Sequence, residues 1–248
     1  MKVLVCISHV PDTTSKINFS DNDTKFDANG VQFVINPYDE FALTRAMWLK
    51  EKQGATVTVL NVGNQTTEPT LRKALAIGAD NAVRINAEPT DGLFVASQIS
   101  VYAKNEHYDL ILAGKESIDY NGGMVPGMLA QMLDMDFVNA CIGFEVEGNS
   151  VKAIREIDGG KEVLEAKLPI VLAGQKGMVE EKDLRIPNMR GIMMARQKPL
   201  TVVEPSNESA KSDSTKYEKP QQKSACKIVD ADNLDELISL LHNEAKVI

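Results

Sequence analysis

Residues 114–125 have the composition of an anion-binding loop. They follow an apolar run, carry a pair of adjacent glycines, and lead into a pattern typical of a helix. The backbone N–H groups of residues 122–125 would then open a helix without intrahelical partners, and the helix dipole would favour an anion there. Ser117 and Asn121 could add hydrogen bonds. The segment predicts a phosphate-binding loop, with an ordinary connection between strand and helix as the alternative.

The familiar signatures of catalysis are missing from the sequence. Neither G-x-x-x-x-G-K-[ST] nor G-x-G-x-x-G occurs, so metal-assisted phosphoryl transfer is not indicated. There is no G-x-S-x-G, and no pair of carboxylates stands out as acid and base. The histidines His9, His107 and His242 are isolated in the sequence, so no metal site is expected. These features predict a ligand site in a protein that is not an enzyme.

Residues 36–39, N-P-Y-D, form a second candidate. Asn36 suits a helix N-cap, Pro37 the first helical position, and Asp39 lies three residues after the cap. The simplest interpretation is therefore a capped helix. In the functional interpretation, this helix start lies beside the first strand, and backbone groups there and near Cys6 and Val62 hold an adenine. Cys6 itself lies in an apolar run, where a buried and inert thiol is the ordinary expectation.

Residues 187–200 form a third candidate, a methionine-rich segment flanked by basic residues. Met189, Ile192, Met193 and Arg196 fall on one helical face. Methionine side chains adapt to different shapes and are common at binding surfaces that accept several partners. The segment predicts a docking helix, and a short helix packed on its own core is the alternative.

Alternating strands and helices must position these candidates. Apolar runs at residues 2–8, 55–63, 81–86 and 108–114 alternate with helical patterns near residues 36–54, 67–78, 93–104 and 123–133. Such alternation predicts βαβ units and a mostly parallel sheet. From residue 138 onward, alternating runs separated by E-G-N-S and D-G-G predict an antiparallel addition to that sheet.

The last part of the chain has a different composition. Residues 204–224 are polar and nearly free of large aliphatic side chains, so they cannot bury enough surface to fold alone. After them, Leu234, Leu237, Ile238 and Leu241 fall at the spacing of an amphipathic helix. We therefore expect an α/β domain over residues 1–200, and a polar tether with a partner-docking helix over residues 201–248.

Charge and hydropathy restrict the class of protein. The formal net charge is −8 and the pI is about 5.0, which argues against nucleic acid or an anionic membrane as the main partner. The amino-terminal apolar run is too short and too β-branched for a signal peptide. No segment approaches the ~20 apolar residues that span a bilayer. The three cysteines are far apart and form no C-x-x-C, which fits a reducing compartment. We expect a soluble cytoplasmic protein.

Taken together, seven segments resemble the β (small) subunits of the electron transfer flavoprotein family. They are "VCISHVPD", "NPYDEFAL", "LRKALAIGAD", "LILAGKESID", "REIDGG", "KLPIV" and "GIMMARQKPL", and they occur in family order over about residues 2–200. No single segment is decisive, but the ordered set is specific. The resemblance implies a Rossmann-like α/β fold of the adenine-nucleotide-binding type and an extended C-terminal arm that clasps an alpha subunit.

The resemblance also implies a structural AMP in this chain, with the redox-active FAD carried mainly by the alpha subunit. By this resemblance, the nucleotide site is built from the first strand, the N-P-x-D helix start, the end of the second strand and the loop at residues 114–125. The implied cofactor-binding residues are Cys6, Asn36, Pro37, Tyr38, Asp39, Val62, Gly114, Lys115, Glu116, Ser117, Ile118, Asp119, Tyr120, Asn121, Gly122, Gly123, Met124 and Val125.

The implied partners are flavoproteins of an electron-transfer chain. Met189, Ile192, Met193 and Arg196 match the recognition loop that anchors acyl-CoA and other flavin dehydrogenases, and the electrons would pass on to a quinone oxidoreductase. Two alternatives remain: an electron-bifurcating member that binds a second FAD in this chain, and a stand-alone nucleotide-binding protein of the stress-protein type. Residues 91–98, D-G-L-F-V-A-S-Q, match the second-FAD signature poorly, which favours AMP.

Overall fold

Apolar, β-branched runs form the central strands of the molecule. The computed structural model describes residues 1–222 and 225–248. The strands are β1 (Lys2–Cys6), β2 (His9–Pro11), β3 (Phe19–Ser20), β4 (Lys25–Phe26), β5 (Phe33–Ile35), β6 (Thr56–Val62), β7 (Asn81–Ile85), β8 (Leu110–Gly114), β9 (Asp136–Glu147), β10 (Ser150–Ile157), β11 (Gly160–Lys167), β12 (Ile170–Gly174) and β13 (Leu200–Val203).

The helices fall where the periodicity predicts them, with small shifts at their ends. They are α1 (Pro37–Gln53), α2 (Glu68–Ile77), α3 (Gly92–Glu106), α4 (Val125–Leu133), α5 (Met189–Ala195) and α6 (Leu234–Ser239). Gly54 ends α1 in the left-handed conformation, at φ 68°, as a glycine at that position predicts. The helix α3 begins one residue earlier than the predicted pattern, and Asp91 caps it by accepting a hydrogen bond from the N–H of Phe94.

Nine strands form one sheet in the order β11-β10-β9-β12-β8-β1-β6-β7-β13. Every pair from β9 across to β13 is parallel, whereas β10 runs antiparallel to both β9 and β11. The predicted fold class, a mostly parallel Rossmann-like sheet with an antiparallel addition, is therefore confirmed. The helical crossovers explain why the central strands are continuous apolar runs, because helices cover both faces of the sheet.

Two apolar clusters, one on each face of the sheet, hold these layers together. One cluster joins α1 and α2 to the sheet through side chains such as Leu43 and Leu71, both fully buried. The other joins α3 and α4 to the opposite face through Ile99 and Leu129. The loops at the carboxyl ends of the strands therefore extend from a rigid support.

The chain divides into two compact units. The first comprises Met1–Asn18 and Asp27–Ser214, and the second comprises Phe19–Phe26 and Thr215–Ile248. The first part of the predicted tether belongs to the first unit, because Gln98 Oε1 accepts a hydrogen bond from Ser206 N, and Asp91 Oδ2 accepts from the N–H groups of Lys211 and Ser212. The domain boundary predicted after residue 200 stays a prediction.

Within the second unit, a hairpin from the N-terminal part of the chain meets the C-terminal segment. The strands β3 and β4 pair antiparallel, and the ring of Phe19 stacks on that of Tyr217 with 5.1 Å between centroids. Tyr217 N also donates to Asp23 O at 2.7 Å. The helix α6 lies in the same unit, and Leu234 and Ile238 on it are more than half exposed. The predicted residues Lys223 and Ser224 of the tether lie outside the described residues.

Candidate functional site

The predicted nucleotide residues converge on the point where the topology of the sheet reverses. The chain proceeds from β1 to β6 and β7 on one side, and from β8 to β12 on the other. Ligands of open α/β sheets bind beyond the carboxyl ends of the strands at such a switch point. Cys6, Val62 and Gly114 end β1, β6 and β8 respectively. The structure therefore brings together segments that are distant in sequence.

The first turn of α1 faces this crevice. Asn36 precedes the helix as expected, but its side chain does not cap the helix, so the predicted side-chain cap is wrong. Instead, Asn36 Nδ2 donates to Glu116 O at 2.9 Å, and Asn36 Oδ1 accepts from Ile118 N at 3.3 Å. Asn36 is thus bound to the loop after β8, because that loop offers backbone groups of its own that need partners.

Asp39 is a buried carboxylate between two strand ends. Its Oδ2 accepts from Ser8 N and its Oδ1 from Gly114 N, both at 2.7 Å, and only 3% of the residue is exposed. Burial raises the pKa of Asp39 to about 7, although the hydrogen bonds from the two amides act in the opposite direction. The pKa of the Cys6 thiol is also raised, first by burial and then by the nearby Asp39 charge, so Cys6 is not a reactive thiol.

The loop itself is tighter than the sequence predicts. Ser117 and Gly122 form an isolated antiparallel bridge, with Gly122 N donating to Ser117 O and Ser117 N to Gly122 O, both at 3.2 Å. The side chain of Ser117 hydrogen-bonds the carboxylate of Asp119. Asn121 adopts a positive φ of 48°, a conformation that asparagine tolerates in tight turns. The loop is therefore a closed turn and not an open connection.

The helix start lies two residues later than predicted. The sequence predicts a helix from Gly123, whereas α4 begins at Val125, with Pro126 in its first turn. The prediction that the N–H of Gly122 opens the helix unpaired is wrong, because the bridge to Ser117 uses it. Pro126 has no N–H and therefore offers no donor in the first turn of α4. The loop therefore offers fewer free amides to an anion than the sequence predicts.

Side chains around the loop vary in exposure. Tyr120 and Met124 are more than half exposed, at 65% and 53%. Lys115 Nζ lies 5.3 Å from the centroid of the Tyr38 ring, a cation–π contact. Burial, followed by the neighbouring Glu116, raises the pKa of the Tyr38 hydroxyl. Lys115 therefore adds a cation to the loop that follows β8, where it could attract an anion.

Two polar residues at this edge escape sequence reasoning. His9 stacks on Phe33 with centroids 4.3 Å apart, and its Nδ1 lies 2.8 Å from Thr70 Oγ1. Burial lowers the pKa of His9, and the charge of Asp119 opposes that shift. Asn61 donates to Ile7 O, while among the described residues its buried Oδ1 has no hydrogen-bond partner. The segment V-C-I-S-H-V-P-D contains His9 but does not show its contacts, and Asn61 lies in no such segment, so only the sheet order brings the two residues to this edge.

The methionine-rich segment forms α5, which packs against α2. Asn188 caps it by accepting from the N–H of Gly191, and Gly191 approaches α2 so closely that an added Cβ would lie 2.3 Å from Ala76 O. Arg72 Nη1 donates to the carbonyls of Ala195 and Lys198, both at 2.8 Å. The helix is therefore fixed by its small residues and by backbone contacts.

This packing leaves the large side chains of α5 exposed to solvent. Met189 and Met193 are 76% and 67% exposed, and Ile192 is 42% exposed. Ile192 and Arg196 line an open groove of about 710 Å³ together with Pro69 and Arg72 on α2. The alternative of a short helix with its apolar side chains in the core accounts for Ala195 but not for the exposed methionines.

Other kinds of site receive no support from the part of the chain that the structure describes. Over residues 1–222 and 225–248, no cluster of three His, Cys, Asp or Glu side chains could hold a metal ion. Across the same residues, none of the helices has the length and apolar character needed to cross a membrane.

Comparison with known proteins gives one consistent result. The model of the electron transfer flavoprotein domain family matches residues 23–208. An electron transfer flavoprotein subunit beta from Bacillus subtilis (strain 168) is 36% identical, and the alignment covers 100% of both chains. The subunit beta from Syntrophomonas wolfei is 34% identical over 91% of this chain and 88% of the relative. The subunit beta from Homo sapiens is 33% identical over 84% of this chain and 82% of the relative.

Proposed function

The chain belongs to the electron transfer flavoprotein family as one of its beta subunits, and on that premise we propose that it binds AMP as a structural ligand, closes over the FAD of an alpha subunit and docks flavin dehydrogenases. The family supports an electron-carrying role rather than an enzymatic one, and it implies an alpha subunit as partner. The AMP, the FAD contact and the dehydrogenases are the proposed part.

The observation that carries the AMP proposal is the crevice at the switch point of the sheet. Its donor set suits a mononucleotide, because the start of α4 follows the loop at this edge of the sheet and Lys115 is the first residue after β8. The carboxyl ends of β1 and β6 offer main-chain groups on the other side, where a base could be held. Cys6 and Val62, which are 8% and 5% exposed, would contribute through their backbone.

In this proposal the chain positions and shields, and it performs no bond-making step itself. The FAD, when bound by the alpha subunit, supplies the reversible acceptance of electrons. The residues of this chain hold the nucleotide, order the loop after β8 and exclude water from that edge. The exposed side chains Met189, Ile192 and Met193 contact a dehydrogenase, and electrons then pass toward a quinone oxidoreductase.

Analysis of the released nucleotide tests the first part of the proposal. The purified complex is denatured, and the supernatant is separated by chromatography. We expect one adenosine monophosphate and one FAD per heterodimer. Two FAD and no AMP would identify a bifurcating member, and the absence of an adenine nucleotide beyond a single FAD would remove the AMP site.

Substitution in α5 tests the docking role. Met189→Ala should slow reduction of the complex by its dehydrogenase while the FAD content stays unchanged, because Met189 is 76% exposed on the proposed contact face. Met194→Ala is the matched control, since Met194 is 51% exposed on the same helix but points away from that face. Equal rates for the Met189→Ala variant and the unsubstituted protein would contradict the docking role.

A further inference from the structure

The strands β1 and β8 part from each other at the carboxyl edge of the sheet, and Asp39 lies between them. Their recorded pairing ends at Val5 and Leu112. Beyond this point β1 continues to pair with β6, since Ile7 N donates to Leu60 O. Likewise β8 continues to pair with β12, since Lys115 N donates to Gly174 O. A gap therefore opens between two strands that are neighbours along the rest of their length.

The N–H groups that face this gap are those that Asp39 binds. Successive N–H groups of a strand point to opposite sides. Because the N–H of Ile7 points to β6, that of Ser8 points to β8, and because the N–H of Lys115 points to β12, that of Gly114 points to β1. Asp39 accepts from both, at 2.7 Å each. Its carboxylate thus takes the place of the strand-to-strand hydrogen bonds that are lost where the sheet opens.

Asn36 does the equivalent for the turn that follows β8. Its amide binds the backbone on both sides of Ser117, at Glu116 O and Ile118 N, and only 1% of the residue is exposed. Asn36 immediately precedes α1 and Asp39 lies in its first turn, so one helix end fixes both segments. We call this pair of side chains the brace.

We propose that Asn36 and Asp39 are positioning residues that do not contact the nucleotide: the brace sets the separation of the ends of β1 and β8 and the conformation of the turn at residues 115–118. The inference rests on the proposed nucleotide site and reassigns two residues from the ligand-binding set. Both oxygens of Asp39 are used by backbone amides, and 3% exposure leaves no surface for a ligand. The nucleotide depends on the brace because the loop amides that bind it are held in place by the turn.

Gly114 supplies an independent geometric argument. A Cβ at this position would lie 2.5 Å from Asp39 Oδ1 and 2.6 Å from Tyr38 Cβ. Real contacts of this kind are essentially never so short, so the close approach of α1 to the end of β8 requires glycine. The glycine therefore serves the brace, whether or not a ligand approaches it.

Removal of the Asp39 carboxylate tests the brace in the full chain with its alpha subunit. AMP affinity is measured at pH 8 by calorimetry after the bound nucleotide has been dialysed away. We expect Asp39→Ala to weaken AMP binding by about tenfold or more, because two charge-assisted hydrogen bonds are lost. Asp39→Asn keeps one acceptor oxygen, so its AMP affinity should lie between those of Asp39→Ala and the unsubstituted protein. This second variant also tests the brace if Asp39→Ala does not fold.

Asp109 offers the matched control. Its Oδ2 accepts from Lys2 N at 2.7 Å, so it makes the same kind of contact at the opposite ends of the same two strands. Asp109→Ala should leave the AMP affinity within about twofold of the unsubstituted protein, because the amino edge of the sheet is remote from the crevice. Equal losses in the Asp109→Ala and Asp39→Asn variants would mean that the effect reflects stability in general, and would overturn the proposal.

Hydrogen exchange of the nucleotide-free protein separates a brace from a ligand contact. The brace predicts faster exchange at one or both of the amides of Ser8 and Gly114 in Asp39→Asn even without AMP, because asparagine keeps a single acceptor oxygen for the two amides. A ligand contact predicts a change only when AMP is present. Unchanged exchange at both amides without nucleotide would refute the brace. This measurement remains decisive even if the unsubstituted protein binds no AMP, so failure of the proposed function is distinguishable from failure of the brace.

Discussion

The residues of the crevice show that a motif can be located from sequence while the partners of its side chains cannot. The sequence selects Asn36 and Asp39 because N-P-Y-D is a helix start, and both do lie at the switch point of the sheet. Yet their polar atoms bind backbone groups of β1, β8 and the following loop. Those acceptors and donors are distant in sequence, so only the folded chain can show which groups the two side chains satisfy.

Asp39 should make the stability of the protein depend on pH. Its pKa is raised in the folded state to about 7, from an unfolded value near 3.8, so the folded state holds this proton more tightly. The stabilisation that comes from protonated Asp39 is complete below its unfolded pKa of 3.8 and is lost as the pH rises through its folded pKa of about 7. The quantity to follow is the free energy of unfolding of the unsubstituted protein minus that of Asp39→Asn. We expect this difference to fall by roughly a few kcal/mol between pH 5 and pH 8.

Urea denaturation at several pH values measures this effect. Subtracting the Asp39→Asn curve removes the contributions of the other titrating groups, which the two proteins share. A difference between the two proteins that does not change with pH would show that Asp39 has the same proton affinity in the folded and unfolded states.

At the scale of elements, α5 illustrates how a small residue can fix the place of a surface helix. An added Cβ on Gly191 would lie 2.3 Å from the backbone oxygen of Ala76, an atom that cannot move without disturbing α2. We expect Gly191→Ala to displace α5, to destabilise the protein by about 1–3 kcal/mol and to slow reduction by the dehydrogenase. Thermal unfolding and the rate of reduction measure the two effects.

Gly143→Ala serves as the control for this substitution. Gly143 lies in β9, where an added Cβ has nothing within 4 Å, so no such contact forms. If both variants unfold at the temperature of the unsubstituted protein, the contact between α5 and α2 is looser than its geometry indicates.

The elements themselves follow from local patterns, whereas their ends and their partners do not. The apolar runs predict β1, β6, β7 and β8, because buried parallel strands read as continuous hydrophobic segments. The predicted start of α4 is two residues too early, because the bridge between Ser117 and Gly122 keeps Gly123 out of the helix. A bridge across a loop leaves no periodic signal in the sequence. His9 and Asn61 near the crevice were missed for a related reason: Asn61 belongs to no motif, and the segment that contains His9 gives no sign of the contacts that its side chain makes.

For the whole molecule, the exposed face of α6 implies a partner. Leu234, Leu237 and Ile238 are 62%, 41% and 56% exposed, which is unusual for an amphipathic helix that has no partner. Family membership implies an alpha subunit, and we propose that this face binds it. We expect Leu237→Asp to weaken assembly with the alpha subunit by at least about tenfold, because a charge would be buried without a counter-ion.

Sedimentation of the mixed subunits measures this assembly. Ser239→Asp places the same charge on the polar side of the same helix and should leave assembly unchanged. If Leu237→Asp assembles as tightly as Ser239→Asp, the arm does not contribute to the interface through this face.

The hairpin of β3 and β4 has a consequence for how the protein is made. Phe19 stacks on Tyr217, although almost two hundred positions separate them along the chain. A ribosome delivers the hairpin long before its aromatic neighbour, so this contact cannot form until Tyr217 has been synthesised. A product cut short before Tyr217 would leave the Phe19 ring without this stacking partner.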